Sequence, residues 1–423
     1  MKTLLIAGTT VALLAAANLA PATAQVTKPV SQVVQWNRML LVIVRTPGAQ
    51  PATIHPTHSF AIMHGAIYDA VNAIDGTHKP YLVRLGASHF ASQEAAAAAA
   101  AHEVLVKLYP SFQATLDAQL QQALAQLPNG GQADGISIGN TIADRILALR
   151  NNDGLNAQPI PYAFGNAPGD YQSTPPNFPK QPQFTHWSRV IPFALESANH
   201  FRPGRPPALT SDRYSDAFDQ VKSLGIANST TATADQALTG GFWNGAIQNY
   251  WNEIAQTASV AHNLTTAENA RLFALLNLSF ADSVIAFYDA KYTYNFWRPV
   301  TAIRAAATDG DPETEADPNW LPEVGNTAPD PSYPGAHAVI SAAGAEVLIS
   351  FFRTQHFAFT VTSEVTSGMR SFTSFPAAAQ EATLSRVFAG QHFLFDLAAG
   401  QRLGSDVADF IVDNFLTSRD RDD

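Results

Sequence analysis

The chain has 423 residues, of which 46% are hydrophobic and 14% are charged, and its formal net charge at pH 7 is −10. A chain of this length and apolar content can bury a large core, which excludes general disorder. Its acidic balance, without any long basic run, argues against nucleic acid as a partner. The sequence contains no cysteine, so its stability cannot depend on disulfides.

The N-terminus has the pattern of a secretory signal peptide. Lys2 supplies a positive charge, residues 4–19 supply an apolar stretch, and Ala22-Thr23-Ala24 offers a small-residue cleavage site. We therefore expect residues 1–24 to be removed and the mature chain, beginning near Gln25, to be secreted or periplasmic. No later segment contains about 20 uninterrupted apolar residues, so no membrane span is expected.

Helical periodicity recurs along the remaining chain and predicts an all-α protein built as a helical bundle. The expected helices cover residues 93–109, 112–127, 133–150, 211–224, 233–262, 266–298, 335–352 and 377–416, the last broken near Gly390. An alanine run at 95–101 predicts close helix packing. Residues 151–207 are rich in Pro, Asn and Gly, and we expect an extended arm that wraps the bundle or borders a pocket. Residues 25–423 would then form a single large helical domain, with the chemical motifs in 266–416.

Three histidines near the N-terminus form a first candidate cluster. His55, His58 and His64 are close in sequence, but their spacing is loose for a metal site. A structural role is therefore the expectation for all three.

The first chemical motif is the pair Lys291 and Arg298. On one helix, residues seven apart are turned by about 20° and lie about 10.5 Å apart, so both side chains could reach one ion. Pro299 would end that helix at or near Arg298. Such a pair alone is more often a solvated face, but a positive pocket in an acidic chain indicates a bound anion. Asp282 and Asp289 are candidates to brace these cations, although Asp289 could equally be a surface charge.

The second motif is the turn Tyr333-Pro334-Gly335-Ala336-His337, which leads into an apolar helix. The backbone N–H groups of Gly335, Ala336 and His337 would then lie at a helix N-terminus, where unpaired donors and the helix dipole favour an anion. His337 is placed to exchange a proton with the bound group. On its own, a histidine here would more often be a helix-start or core residue.

The third motif combines Arg386, His392 and Asp396. Arg386 and His392 are six residues apart, about 240° on an uninterrupted helix, so they share a site only if the backbone breaks. Gly390 is the expected break. Asp396, four residues after His392, can accept from one imidazole nitrogen and leave the other free as a nucleophile or ligand. Without the other motifs, this pair would be read as a local hydrogen bond.

The three motifs in this order resemble those of one superfamily. Lys-x6-Arg-Pro, a turn ending in histidine, and Ser-Arg-x5-His-x3-Asp are similar to the vanadium-dependent haloperoxidases and type 2 phosphatidic acid phosphatases, including bacterial non-specific acid phosphatases. Residues 289–299 around the first motif resemble the bacterial haloperoxidase branch. Within this stretch, Trp297 is expected to be a core residue or part of the pocket wall.

The resemblance implies a role for each motif residue. Vanadate or phosphate would be held by Lys291, Arg298 and Arg386 together with the turn residues Gly335 and Ala336. His392 would be bonded to vanadium, or phosphorylated in a phosphatase, with Asp396 supporting it. His337 would be the acid–base residue.

The turn departs from the family pattern. The family usually has Tyr-Pro-Ser-Gly-His, whereas this chain has Gly335 and Ala336 in place of the serine and glycine. The missing hydroxyl is worth roughly 1–3 kcal/mol of anion stabilisation. Ser332 lies three residues before the expected serine position and is not an obvious substitute.

Three functions follow from the resemblance, in decreasing order of expectation. The first is a haloperoxidase, a peroxidase that oxidises a halide with hydrogen peroxide at a His-bound vanadate cofactor. The second is a secreted acid phosphatase that acts on phosphate esters through phosphorylated His392, since five-coordinate vanadate resembles the phosphoryl-transfer transition state. The third is a non-catalytic anion-binding protein. Halide preference, organic acceptor and oligomeric state are not encoded in any motif.

Overall fold

The computed structural model describes residues 30–50 and 55–419, so the predicted signal peptide lies outside the described residues. Within these ranges the all-α prediction is confirmed. The helices are α1 (Gln32–Arg45), α2 (Pro56–Asp75), α3 (Gln93–Leu108), α4 (Gln113–Ala125), α5 (Gln132–Arg150), α6 (Asp212–Leu224), α7 (Ala234–Phe242), α8 (Ile247–Ala261), α9 (Thr266–Tyr294), α10 (Pro299–Ala305), α11 (Ala336–Phe352), α12 (Phe375–Phe388) and α13 (Leu394–Asn414). One antiparallel hairpin, β1 (His356–Thr362) with β2 (Met369–Ser374), was not predicted.

Helix α9 is the centre of the fold. It begins with a capping box in which Thr265 and Glu268 satisfy each other's backbone N–H groups, and α2, α8, α11 and α13 pack around it. By length and composition α9 could cross a membrane, but 94% of its most apolar stretch is buried inside the protein. This burial is what a core helix requires, because such a helix is apolar on every face.

Small residues allow close helix contacts at two places. Ala95 to Ala101 are fully buried in α3, and α5 approaches so closely that a Cβ on Gly139 would lie 2.4 Å from the carbonyl oxygen of Ala96. The predicted close packing of the alanine run is therefore confirmed. Gly400 of α13 likewise approaches the carbonyl oxygen of Gly335, where a Cβ would be at 2.6 Å. This second contact brings the helices of the second and third motifs together.

Two helix predictions were wrong at their boundaries. The segment 233–262 is interrupted at 243–246, between α7 and α8. The segment 266–298 ends at Asn295, which adopts the left-handed conformation with φ 50° and caps α9. Helices α1, α2 and α10 were not predicted. In α2, buried polar residues such as His64 and Asp69 interrupt the apolar pattern of a core helix.

The predicted arm of residues 151–207 packs on the outside of the bundle, contacting α9 and the segment before the second motif. Asp282, buried in α9, accepts the backbone N–H groups of Phe193, Ala194 and Leu195 at 2.6–2.8 Å. Further along, the backbone N–H of Gln183 donates to the carbonyl of Pro329. The arm is thus held to the central helix and reaches the turn that carries the second motif. The extent of a single domain over 25–423 stays a prediction.

Candidate active site

Three cations carried by three different segments are buried close to His392. Lys291 lies in the last turn of α9, Arg298 precedes α10 and Arg386 ends α12. They are 1%, 1% and 6% exposed. Burial first, and then the charges of all three, lower the pKa of His392, so the three cations lie near the same imidazole, and Arg298 contacts it directly. Their role in holding an anion stays a prediction.

Arg298 reaches the site differently from the prediction. It is not on the helix of Lys291 but at the N-cap of α10, with φ −83° and ψ 155°. Asn295 ends α9, and Pro299 begins α10 because its fixed φ suits a first helical position. The two cations converge because the chain turns between them, and the seven-residue helical spacing is not the cause.

Asp330 is the functional candidate that the sequence analysis missed. Its Oδ1 lies 3.1 Å from Lys291 Nζ and also contacts Arg298 Nη2. The Asp330 carbonyl accepts from Arg298 Nε at 2.8 Å, and Lys291 also donates to the carbonyls of Pro331 and Ser332. The signal available was an aspartate immediately before the Pro-Ser-Tyr-Pro turn. Nothing in the sequence showed that it would meet both cations.

His392 is held in one orientation by Asp396. The imidazole Nδ1 is 3.2 Å from Asp396 Oδ2 and Nε2 is 3.1 Å from Arg298 Nη1. Because a guanidinium only donates, Nε2 carries the lone pair and Nδ1 carries the proton given to Asp396. Asp396 Oδ2 also accepts from the Ser332 hydroxyl at 2.6 Å and the Phe393 N–H at 3.0 Å. Ser332 therefore supports the carboxylate behind His392.

The break before His392 is at Gly390, as predicted. Gly390 has φ 72°, and the backbone N–H groups of both Gln391 and His392 return to the carbonyl of Arg386. A Cβ on Gly390 would also lie 2.4 Å from the carbonyl oxygen of Gly225. His392 precedes the N-cap of α13 and Asp396 lies in its first turn, so the pair forms across a helix start.

Burial controls the ionisation of the site. Burial, reinforced by the neighbouring cations, holds the pKa of His392 well below its ordinary value. Burial also lowers the pKa of Lys291 to about 8 and that of Arg386 to about 9, and it raises the pKa of Asp396 to about 6. Burial alone would raise the pKa of Asp330, but Lys291 and Arg298 bring it below its ordinary value. At neutral pH the imidazole is neutral beside an excess of cations.

The segment 243–246 between α7 and α8 positions two motif residues. The carbonyl of Trp243 accepts from His337 Nε2 at 3.0 Å, and the side-chain oxygen of Asn244 accepts from Arg386 Nη1 at 3.1 Å. Since Nε2 of His337 donates, its Nδ1 carries the lone pair. Burial and Arg386 hold the pKa of His337 well below its ordinary value. The sequence analysis placed this segment inside a continuous helix and so missed both contacts.

The turn before α11 offers fewer backbone donors than predicted. Gly335 is the N-cap with φ −77°, and its N–H donates to the carbonyl of Asp396 at 3.0 Å. This N–H is therefore already paired, contrary to the expectation that it is available to an anion. Ala336 and His337 occupy the first turn of α11, where backbone N–H groups have no helical acceptor.

The remaining sequence candidates have structural surroundings. The two aspartates expected to brace a site cation do not do so: Asp282 holds the arm, and Asp289 pairs with Arg202 at 2.5 Å. Trp297 is 1% exposed within a smaller hydrophobic cluster.

The early histidines have the structural role that was expected. His58 pairs with Asp153, His64 with Asn37, and His55 packs on the rings of Phe184 and Trp187. In the described part of the chain, no group of three or more His, Asp and Glu side chains is arranged to hold a metal ion.

The residues at the site fit an oxyanion. Three cations face two carboxylates, Asp330 and Asp396, and Arg386 Nε is buried with no hydrogen-bond partner among the described residues. An unpaired buried guanidinium donor is costly, and an oxyanion oxygen would satisfy it. The neutral imidazole of His392, whose Nε2 lone pair faces Arg298 Nη1, completes the set of groups that vanadate or phosphate requires.

Comparison with known sequences points to one family. Residues 271–420 match the family model described as the VCPO second helical-bundle domain, which contains all three motifs. Vanadium chloroperoxidase of Curvularia inaequalis is 26% identical over 280 residues, or 54% of this chain and 45% of that protein. The match thus spans less than half the length of this curated relative.

Solved structures share the whole architecture. The first bacterial vanadium-dependent iodoperoxidase aligns with a TM-score of 0.78 at 23% identity, over 93% of this chain and 99% of that chain. A holo-type bacterial vanadium-dependent chloroperoxidase aligns with a TM-score of 0.70 at 15% identity, over 88% and 94%. The predicted resemblance to the vanadium haloperoxidases is confirmed by these matches, and the described chain has the fold of the vanadium haloperoxidases.

Proposed function

We propose that this chain is a vanadate-dependent haloperoxidase, exported after removal of residues 1–24, that oxidises a halide with hydrogen peroxide. The observation that carries the proposal is the neutral imidazole of His392, with its Nε2 lone pair turned toward Arg298 in a buried cluster of three cations. The similarity of residues 271–420 to the second VCPO domain supports the same assignment.

Each residue has a defined part in holding the cofactor. His392 Nε2 would bond to vanadium, while Lys291, Arg298 and Arg386 would neutralise the vanadate oxygens. When bound, vanadate supplies a Lewis-acidic centre that activates peroxide toward a halide. Asp396 fixes the imidazole by accepting from Nδ1, which keeps Nε2 unprotonated and correctly aimed.

His337 is the proposed acid–base group. Its Nε2–H is held by the carbonyl of Trp243, so Nδ1 is the atom able to accept a proton. The lowered pKa of His337 keeps this nitrogen unprotonated at neutral pH. Nδ1 can then take a proton from bound peroxide and return it as the reaction proceeds.

A phosphatase is the second candidate, and it is favoured by the same imidazole. A neutral histidine with an unprotonated Nε2, oriented by a carboxylate, is also prepared to attack phosphorus once that nitrogen exchanges its Arg298 contact for the substrate. The three cations would then stabilise the phosphoryl oxygens in the transition state.

The two functions are separated by assaying one protein preparation twice. Protein freed of bound oxyanion would be measured for peroxide-dependent oxidation of bromide and iodide, and for hydrolysis of a phosphate ester, with and without orthovanadate. For a haloperoxidase, vanadate switches on the first reaction. For a phosphatase, hydrolysis proceeds without vanadate and is inhibited by it.

His392→Ala is the control for both assays, since each reaction requires Nε2. Halide oxidation that is independent of vanadate, or that survives His392→Ala, would refute the proposed function. N-terminal sequencing of the exported protein tests removal of residues 1–24, where a mature chain starting at Met1 would contradict it.

A further inference from the structure

Asp330 places a fixed negative charge inside the proposed anion pocket. Its carboxylate is 5% exposed as a residue and contacts both Lys291 and Arg298 through the same oxygen. Asp396 supports an imidazole, whereas Asp330 pairs directly with two of the cations proposed to hold the oxyanion. It therefore competes with any bound anion for their charge.

The structure holds Asp330 in this position from several sides. Its Oδ2 accepts from Gln183 Nε2 of the arm at 3.1 Å and from the Tyr288 hydroxyl of α9 at 3.3 Å. Its backbone carbonyl accepts from Arg298 Nε. Because both carboxylate oxygens are occupied by donors from different segments, the side chain cannot turn away to make room for charge on an incoming anion.

The consequence is an uneven distribution of available charge. Lys291 and Arg298 are both paired with Asp330, while the buried Nε of Arg386 has no partner among the described residues. With both carboxylates ionised, three positive charges and two negative charges leave a net charge of +1. A monoanion neutralises this net charge of +1. A dianion or trianion of the same shape would leave excess negative charge in the pocket and be repelled more strongly by Asp330.

We propose that Asp330 sets the charge selectivity of the oxyanion pocket, weakening multiply charged oxyanions relative to singly charged ones. This inference rests on the proposed function, because it assumes that an oxyanion binds beside His392.

The test compares two isoelectronic tetrahedral anions, tungstate with charge −2 and perrhenate with charge −1. Their dissociation constants would be measured by titration calorimetry at one ionic strength for wild type and Asp330→Asn. Asp330→Asn removes one fixed negative charge from the pocket. Because tungstate carries two charges and perrhenate one, the loss of electrostatic repulsion is about twice as large for tungstate. The tungstate preference over perrhenate should therefore rise by about tenfold to a hundredfold in Asp330→Asn.

Asp282→Asn is the matched control, because Asp282 is a fully buried carboxylate of α9 that holds the arm without contacting the three cations. It should leave the preference unchanged despite a loss of stability. The double variant Lys291→Met with Asp330→Asn restores the wild-type charge and should return the preference toward the wild-type value. If Asp330 has only a structural role, the double variant should instead show the same tungstate preference as Asp330→Asn.

An unchanged tungstate preference in folded Asp330→Asn overturns the inference and leaves the proposed function intact. If Asp330→Asn does not fold, the double variant decides the question. A tungstate preference in the double variant that differs from the wild-type value by tenfold or more overturns the inference and leaves the proposed function intact. Wild-type protein that binds neither anion, nor vanadate, overturns this inference together with the proposed function.

Discussion

Among the described residues, two buried clusters combine histidine, carboxylate and arginine, and they differ in how completely their guanidinium donors are paired. In the arm cluster, His58 Nε2 and Arg150 Nε meet the same oxygen of Asp153 at 2.6 and 3.0 Å. Arg150 also donates to the carbonyls of Pro192 and Ile191. All three of its nitrogens are occupied, by a single carboxylate and two backbone groups.

The cluster around His392 has the same residue types but an excess of positive charge. It contains three cations and two carboxylates, and one guanidinium nitrogen of Arg386 is buried without a partner. In the arm cluster every guanidinium nitrogen of Arg150 has an acceptor, although His58 Nδ1 is buried without a partner among the described residues. The pairing of the guanidinium donors and the balance of charge therefore separate the two clusters where residue composition does not.

The largest contrast is expected between the two histidines. His392→Ala should lower vanadate-dependent halide oxidation by about a thousandfold or more, because the atom that bonds vanadium is removed. Asp396→Asn, which only disturbs orientation, should cost about 10-fold to 100-fold. His58→Ala should leave the rate per folded molecule unchanged. Steady-state rates with vanadate titrations check all three, and equal activity of His392→Ala and wild type would end the site assignment.

A second contrast separates the two arginines. Arg150→Met removes the guanidinium from the buried Asp153, leaving His58 as its side-chain partner, and should reduce the free energy of unfolding by about 3–5 kcal/mol, with little effect on anion affinity. Arg386→Met should weaken vanadate binding by about tenfold to a hundredfold, corresponding to roughly 1.5–3 kcal/mol for a charged hydrogen bond. Urea unfolding and calorimetric titration measure the two quantities. Identical effects of the two variants on vanadate affinity would erase the distinction between the clusters.

The arm cluster should also respond to acid. Burial first, then His58 and His186, lower the pKa of His55 to about 4. A histidine with a lowered pKa binds fewer protons when folded, so its contribution is present above pH 6.5 and is lost as the pH falls toward 4. The loss is roughly 3 kcal/mol. His55→Phe keeps the ring packing and should lose less stability between pH 7 and pH 4.5 in urea unfolding, whereas parallel curves would exclude His55 as the source.

The smallest effect concerns the turn. The negative φ of Gly335 accommodates serine, but its Cβ would lie 2.8 Å from Leu397 Cδ2. Gly335→Ser should therefore tighten vanadate binding by at most about tenfold, and only where Leu397 shifts. Combining it with Leu397→Ala should recover the gain. Vanadate titration, with thermal unfolding as the control for strain, decides this. Looser binding at unchanged stability would show that the serine position has been misassigned.

The sequence predicted most of the long helices, including α4, α5 and α6. It missed α2, in which buried polar residues such as His64 and Asp69 interrupt the apolar pattern of a core helix, and it also missed α1. The breaks at Asn295 and at 243–246 were missed as well. The end of α9 has neither proline nor glycine at Asn295, whereas Gly240, Gly241 and Gly245 surround the end of α7, a signal for a break that the helix prediction did not use.

The motif residues were predictable because their chemistry and order are distinctive. The groups that complete the site were not, since each approaches from a distant segment. Asp330 meets Lys291 across 39 positions, Asn244 meets Arg386 across 142, and Gln183 meets Asp330 across 147. Long-range pairs of this kind are fixed by packing, which a single sequence does not reveal.

The four residues from Trp243 to Ala246 also bear on how the enzyme can be altered. One backbone carbonyl in this segment orients His337 and the next side chain orients Arg386. A one-residue insertion or deletion here would re-aim both side chains together without changing any motif letter. We therefore expect homologous chains to differ in chemistry when their motifs are intact but the connection between α7 and α8 has a different length. Loop grafting at this short connection is a way to diversify the protein.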